Sequence, residues 1–213
     1  SADIEEIKNG ARLGVISGVT TNPSLAAKAG VGGVEAYKLA VQEIASIVDG
    51  PISIEVISDD PDEMILEGRD YATWIDNPWV KLPSSAAGFQ AMKVLSMEGI
   101  QINQTLCFSV NQALLGAQAG ATAVSPFVGR LDDIGEDGMA LVKDIVDVFK
   151  IHEIKTKVLA ASIRGPKHCV DAARAGAHIA TIPVDVLKQM VKHPLTDIGI
   201  QKFNDDWEKS QKG

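Results

Sequence analysis

A chain of 213 residues, 46% hydrophobic and 23% charged, has the size and balance of one globular domain with a large core. A net charge of −8 argues against nucleic acid and anionic membranes as partners. Cys107 and Cys169 form no zinc or redox spacing, and the four histidines form no metal-binding pattern, so no metal is expected and the expected compartment is the reducing cytoplasm.

Helical spacing covers 3–13, with Ile4, Ile7 and Ala11 on one face, and a short strand is expected at 15–19. It leads into Thr20-Thr21-Asn22-Pro23, a turn whose Ser24 reads as a helix cap. Helix returns over 33–48, through Val34, Tyr37, Val41 and Ile44, and Pro51 opens a β-branched run, 52–57. Asp59, Asp60 and Pro61 announce a helix over 60–76. The order continues with strand 79–82, helix 84–98, strand 100–106, a helix from Ser109 that stops at Gly116 to Gly120, and strand 122–127. A Gly-rich loop, 129–138, precedes helix 139–151, strand 157–162, a helix from Pro166 to Gly176, strand 178–182, helix 184–192 and an amphipathic helix 196–209. Residues 101–129 carry no charge, but Asn103, Gln104, Asn111, Gln112 and Gln118 lie among them. That stretch reads as interior strand, helix and strand rather than a bilayer segment.

Strand and helix thus alternate seven times, and the strands are continuously apolar, as in a parallel sheet covered on both faces. A doubly wound sheet and an eight-stranded barrel both fit. No Gly-x-Gly-x-x-Gly follows the first strand, which counts against the dinucleotide-binding form. The chain starts on a helix, so the expectation is an α/β protein, a single (β/α)8 TIM barrel over 1–213 with an extra C-terminal helix, whose first strand precedes Ser1.

Strand ends carry the most informative residues, because barrel active sites lie at the C-terminal ends of the strands. Those ends hold Asn22, Glu55, Lys81, Asn103 with Thr105, Ser125 with Arg130, and Ser162 with Arg164. Lys81 lies between apolar neighbours in Trp-Val-Lys-Leu-Pro. Taken alone, such a lysine snorkels to solvent more often than it reacts. Burying an amine disfavours its charged form, and a neutral amine condenses with ketones. Glu55 suits an ion pair with Lys81 and a general acid/base role, which are compatible. Arg130 and Arg164 are each ordinary solvated arginines by default; together they offer two forks for one phosphate. Phe127 on composition alone reads as core.

These residues sit in motifs that resemble the transaldolases: Gly18-Val19-Thr20-Thr21-Asn22-Pro23-Ser24-Leu25, Val80-Lys81-Leu82-Pro83, Ser125-Pro126-Phe127-Val128-Gly129-Arg130-Leu131-Asp132-Asp133 and Ala160-Ala161-Ser162-Ile163-Arg164. The likeness covers the whole chain and is nearest to the small bacterial and archaeal subfamily. It implies that Lys81 forms a Schiff base with a ketose phosphate and carries a dihydroxyacetone unit from sedoheptulose 7-phosphate to glyceraldehyde 3-phosphate. It implies that Glu55 and Thr105 hold a proton-shuttling water. Asn22, Asn103 and Ser125 would contact the three-carbon unit or the lysine, and Ser162, Arg130 and Arg164 the phosphate. No metal or organic cofactor is implied, and a ring-like homo-oligomer, pentamer or decamer, is. The likeness also places an aspartate at the end of the first strand, directly before Ser1.

Fructose-6-phosphate aldolase is the nearest rival on this scaffold. It is similar to this chain but carries glutamine at the Glu55 position and tyrosine at the Phe127 position. Both residues found here favour transfer over simple cleavage. A non-catalytic sugar-phosphate-binding barrel is the rival from another class, and Lys81, Glu55 and Thr105 argue against it, since binding needs no buried amine.

Overall fold

The computed structural model of the chain describes residues 1–211. Its seven strands are β1 (Val19–Thr20), β2 (Ile52–Glu55), β3 (Pro78–Pro83), β4 (Gln101–Cys107), β5 (Ala123–Pro126), β6 (Lys157–Ala160) and β7 (Ile179–Ala180). They lie in strict sequence order, every neighbouring pair parallel. A doubly wound sheet reverses its order at a switch point, and this one does not. The sheet curls instead into a (β/α)-barrel-like fold. At its rim the hydroxyls of Thr20, the last residue of β1, and Thr181, just past β7, meet at 2.7 Å.

The helices are α1 (Ile4–Ala11), α2 (Pro23–Lys28), α3 (Val34–Ile47), α4 (Pro61–Tyr71), α5 (Ala86–Met97), α6 (Val110–Ala119), α7 (Val128–Asp132), α8 (Gly138–Ile151), α9 (Pro166–Ala175), α10 (Val184–Met190) and α11 (Pro194–Ser210). Their ends follow local chemistry. Asp60 accepts from the amides of Asp62 and Glu63 with Pro61 at the first helical position, and Ser85, Ser109 and Asp137 cap α5, α6 and α8 in the same way. Gly120 (φ 98°) and Gly176 (φ 86°) close α6 and α9 in the left-handed conformation.

Side chains alternate along each strand. Ile52, Ile54, Val80, Leu82, Ile102 and Val124 are fully buried and join the core formed with Met92, Leu95, Val142 and Ile145 of the helices. The alternate positions face the other way, into the barrel; Trp79 and Ala123 lie among them, but toward the strands' C-terminal ends they are polar: Ser53, Glu55, Lys81, Asn103, Thr105 and Ser125. One alternation rule therefore builds both the core and the site. The uncharged stretch 101–129 becomes β4, α6 and β5, and among the described residues no helix is long and apolar enough to cross a membrane.

Several boundaries differ from the sequence reading. The first strand occupies 19–20, not 15–19. A parallel ladder extended backwards would need an N–H from Pro51 for the Ser17 carbonyl, and proline has none. Asn22, not Ser24, caps α2, its Oδ1 accepting from the Leu25 amide at 2.8 Å. The stretch read as a Gly-rich loop, 129–138, contains all of α7 but its first residue. Of the two glycines read as the stop of α6, Gly120 ends it and Gly116 lies inside it, where the Gln104 side chain fills the space a Cβ would take.

Candidate active site

Lys81 sits at the centre of the barrel mouth. β3 presents it from the position that pairs with Glu55 on β2 and Asn103 on β4, so three consecutive strands place their polar residues in one layer. The Lys81 side chain is 6% exposed and that of Glu55 15%. Its Nζ donates to Glu55 Oε2 at 2.7 Å and to the Thr21 carbonyl at 3.2 Å. A nearly dry ion pair holds only where each partner satisfies the other, and here the amine also has a backbone acceptor.

Asn103 and Ser125 lie in the same interior but bond to each other rather than to the amine. Ser125 Oγ donates to Asn103 Oδ1 at 2.6 Å, and Asn103 Nδ2 donates to Ser53 Oγ at 2.9 Å. Thr105 is fully buried, and its Oγ1 has no hydrogen-bond partner among the described residues. A buried hydroxyl left without a partner costs about 1–3 kcal/mol.

Backbone distortion aims the β4 end. The β4–β5 register shifts between Gln104 and Cys107, and Leu106 sits at φ 52°. Ser84 holds this bulge through two bonds to the Thr105 carbonyl, from its amide (2.9 Å) and its hydroxyl (2.7 Å). Gln112 Oε1 accepts from the Phe108 amide just beyond it at 2.8 Å. Phe108 stacks edge-on against Phe127, ring centroids 5.7 Å apart. Phe127 is half-buried at the rim, and the Arg130 guanidinium lies over its ring at 5.5 Å.

The arginines belong to two adjoining segments. Arg130 lies in α7, and Arg164 follows Ser162, which adopts φ 59°. The Gly129 amide donates to the Ser162 carbonyl at 3.1 Å, and the Arg164 side chain lies across Gly129. Arg164 Nη2 donates to Asp133 Oδ2 at 2.7 Å. Both guanidinium groups are exposed at the mouth, on the side of β5 and β6. Asn22, half-buried at the end of β1, completes the ring of strand ends.

The sequence reading passed over three residues of this interior. Thr21 lies within a named motif without a role assigned to it, and Ser53 shares the face of Glu55, a signal that was present. Tyr37 read as one more apolar-stripe residue of α3, yet its hydroxyl meets Thr21 Oγ1 at 2.5 Å and accepts from the Glu55 amide at 3.3 Å.

A family model described as transaldolase/fructose-6-phosphate aldolase matches residues 1–213. The chain is 57% identical over 210 residues to a probable transaldolase of Clostridium acetobutylicum, covering 99% of this chain and 96% of that one. A probable transaldolase of Heliobacterium modesticaldum is 59% identical over 208 residues, covering 98% and 95%. One from Dehalococcoides mccartyi is 54% identical over 213 residues, covering 100% and 97%. A full-length family match and three relatives far above the level at which sequence implies kinship leave one conclusion: the chain belongs to the transaldolase/fructose-6-phosphate aldolase family.

Proposed function

We propose that this enzyme is a transaldolase that moves a dihydroxyacetone unit from sedoheptulose 7-phosphate to glyceraldehyde 3-phosphate, giving erythrose 4-phosphate and fructose 6-phosphate. The observation that carries the reading is the buried Lys81 amine, held 2.7 Å from a single carboxylate at the mouth of the barrel.

In this reading Lys81 Nζ adds to the ketose C2 carbonyl and water leaves, forming an iminium. The C3–C4 bond then breaks, its electrons flow into the iminium, and the C4 hydroxyl gives up its proton as the aldose phosphate departs. The enamine left on Lys81 attacks the aldehyde carbon of the acceptor, whose oxygen takes up a proton. Water adds back to the new iminium and releases the ketose product. Glu55 shuttles protons through a water shared with Thr105, whose unpartnered hydroxyl supports that role. Asn22, Asn103 and Ser125 hold the hydroxyls of the three-carbon unit. Ser162, Arg130 and Arg164 bind the phosphate of the departing or arriving aldose, at the rim that the α7 segment and the residues after β6 share. Glu55 and Phe127 favour transfer over cleavage, because a phenylalanine offers no hydroxyl to protonate the enamine or position water.

Borohydride reduction with fructose 6-phosphate, followed by peptide mass mapping, tests the chemistry; the expected label is a three- or six-carbon adduct on Lys81, and label elsewhere overturns it. Release of glyceraldehyde 3-phosphate from fructose 6-phosphate, with and without erythrose 4-phosphate, tests the transfer. Steady turnover that is equal without the acceptor favours the aldolase. The working form in this reading is a ring-like homo-oligomer in the cytoplasm. α11 supports it, since none of its residues is buried and Leu195, Ile198, Phe203 and Trp207 are exposed along it. Light scattering on the purified chain checks the assembly.

A further inference from the structure

The β1–β2 ladder ends abruptly at the site. Thr20 pairs with Ser53, and the Thr21 amide donates to the Ser53 carbonyl at 3.0 Å. The next rung of a parallel ladder would join the Glu55 amide to the Thr21 carbonyl and a residue-23 amide to the Glu55 carbonyl. Residue 23 is proline and has no N–H. The rung is replaced by two side chains. Lys81 Nζ takes the Thr21 carbonyl at 3.2 Å, and Tyr37 Oη takes the Glu55 amide at 3.3 Å.

Proton counting fixes the direction of the rest. The Thr21 hydroxyl has one proton, and it goes to the Ser53 carbonyl at 2.8 Å, which only accepts. The 2.5 Å contact between Thr21 Oγ1 and Tyr37 Oη therefore has the phenol as donor. The chain runs from the Glu55 amide to the Tyr37 oxygen, from the Tyr37 proton to Thr21, and from the Thr21 proton to Ser53. Tyr37 is 3% exposed, and its ring stands edge-on to Tyr71 and Trp74 at 6.3 and 5.9 Å. The hydroxyl is thus delivered by a packed aromatic cluster rather than by a mobile side chain. Burial holds this phenol above its ordinary pKa, which keeps the proton on it.

We infer that Tyr37 is a positioning residue for the reaction: it fixes, through Glu55 and Thr21, the carboxylate and the carbonyl that orient the Lys81 amine. The inference rests on the Schiff-base reading above. Tyr37 touches no substrate, so its loss acts on the rate of carbon–carbon cleavage and not on phosphate binding.

The test compares Tyr37→Phe with Tyr71→Phe. Tyr71 belongs to the same cluster, but its buried hydroxyl has no hydrogen-bond partner among the described residues. Both variants keep the ring and lose one hydroxyl. For Tyr37→Phe the expected result is a fall of about tenfold in kcat for transfer, with KM for fructose 6-phosphate within about twofold of the parent. Tyr71→Phe should match the parent in both. Thr21→Val removes the same contact from the other side and stands in if Tyr37→Phe does not fold. A lower Tm with unchanged kcat per folded molecule would overturn the inference and leave a merely structural phenol. Borohydride trapping on the parent separates the two levels. Lys81 labelled in the parent with kcat intact in Tyr37→Phe sinks only the role of Tyr37. No label on Lys81 in the parent sinks the reading beneath it.

Discussion

Gly129→Ala probes the phosphate cradle without touching an arginine. A Cβ at residue 129 would lie 2.3 Å from the Ser162 carbonyl oxygen, 2.4 Å from Arg164 Nε and 2.7 Å from Arg164 Cγ. Ordinary contacts to Cβ begin near 3.4 Å, so about an ångström of separation must be found. Ser162 cannot supply it cheaply. Its carbonyl accepts the Gly129 amide at 3.1 Å, and its φ of 59° is already a left-handed conformation costing about 1–3 kcal/mol. The 129 and 162 backbones must therefore move apart at that cost, and Arg164, which clashes as well, must swing off residue 129 and leave Asp133. Losing one charge-assisted contact to the phosphate, about 1.5–3 kcal/mol, raises KM for fructose 6-phosphate roughly 10- to 150-fold. The ion pair of Lys81 lies on other strands, so kcat should fall far less. The assay is coupled initial-rate kinetics over a range of fructose 6-phosphate at fixed erythrose 4-phosphate, with a urea titration to confirm folding. A folded Gly129→Ala enzyme whose KM is unchanged would refute the placement of Arg164 on the phosphate.

Three further outcomes follow from the same geometry. Glu55→Gln keeps the shape at 2.7 Å from Lys81 but removes the shuttle, so kcat should drop at least about 100-fold while borohydride still labels Lys81; near-parent kcat in a folded variant would exclude Glu55 as the acid/base. Gly116→Ala puts a Cβ 1.7 Å from Gln104 Oε1 and forces Gln104 off Ser84 and the Gln112 carbonyl, so the loss should exceed alanine's helical gain and lower stability by about 1–3 kcal/mol in urea titration. Burial pushes the Cys107 thiol up to about 11, so at pH 8 a thiol reagent should modify native protein at the half-buried Cys169 well before Cys107, and equal rates would show that the β4 end opens.

The barrel was legible because its strands are short, apolar and evenly spaced, and helix stops such as Gly120 and Gly176 are unambiguous. The rim was legible because Glu55 and Lys81 stand out against Ile54, Val56, Val80 and Leu82. What the sequence hid was pairing. Nothing in Val15 to Gly18 says that these residues stay out of the ladder; that follows only from which strand they meet and from Pro51 on it. α7 was hidden because Gly129 and Gly135 look like a loop, while Gly129 is needed for close approach to Ser162. Tyr37 was hidden because a tyrosine in an apolar stripe is usually core, and its ring here is indeed core. Only its last atom belongs to the site.

Where the chain puts reactive groups, it also interrupts its own ladder. Pro23 stops β1 and frees the Thr21 carbonyl for Lys81 and the Glu55 amide for Tyr37. Leu106 bulges β4, and the strand resumes pairing with β5 only at Cys107. Ser162 turns left-handed after the bridge between Phe127 and Ala161, and Arg164 emerges at the mouth. Each break releases a backbone or side-chain group that an unbroken parallel ladder would have consumed or aimed elsewhere. The breaks cost energy, and they persist because neighbours hold them: Ser84 and Gln112 around the β4 bulge, Gly129 beneath Ser162, Tyr37 behind Glu55. The same sheet is therefore continuously paired below and chemically open above. The dividing line runs through the residues at which the ladder stops.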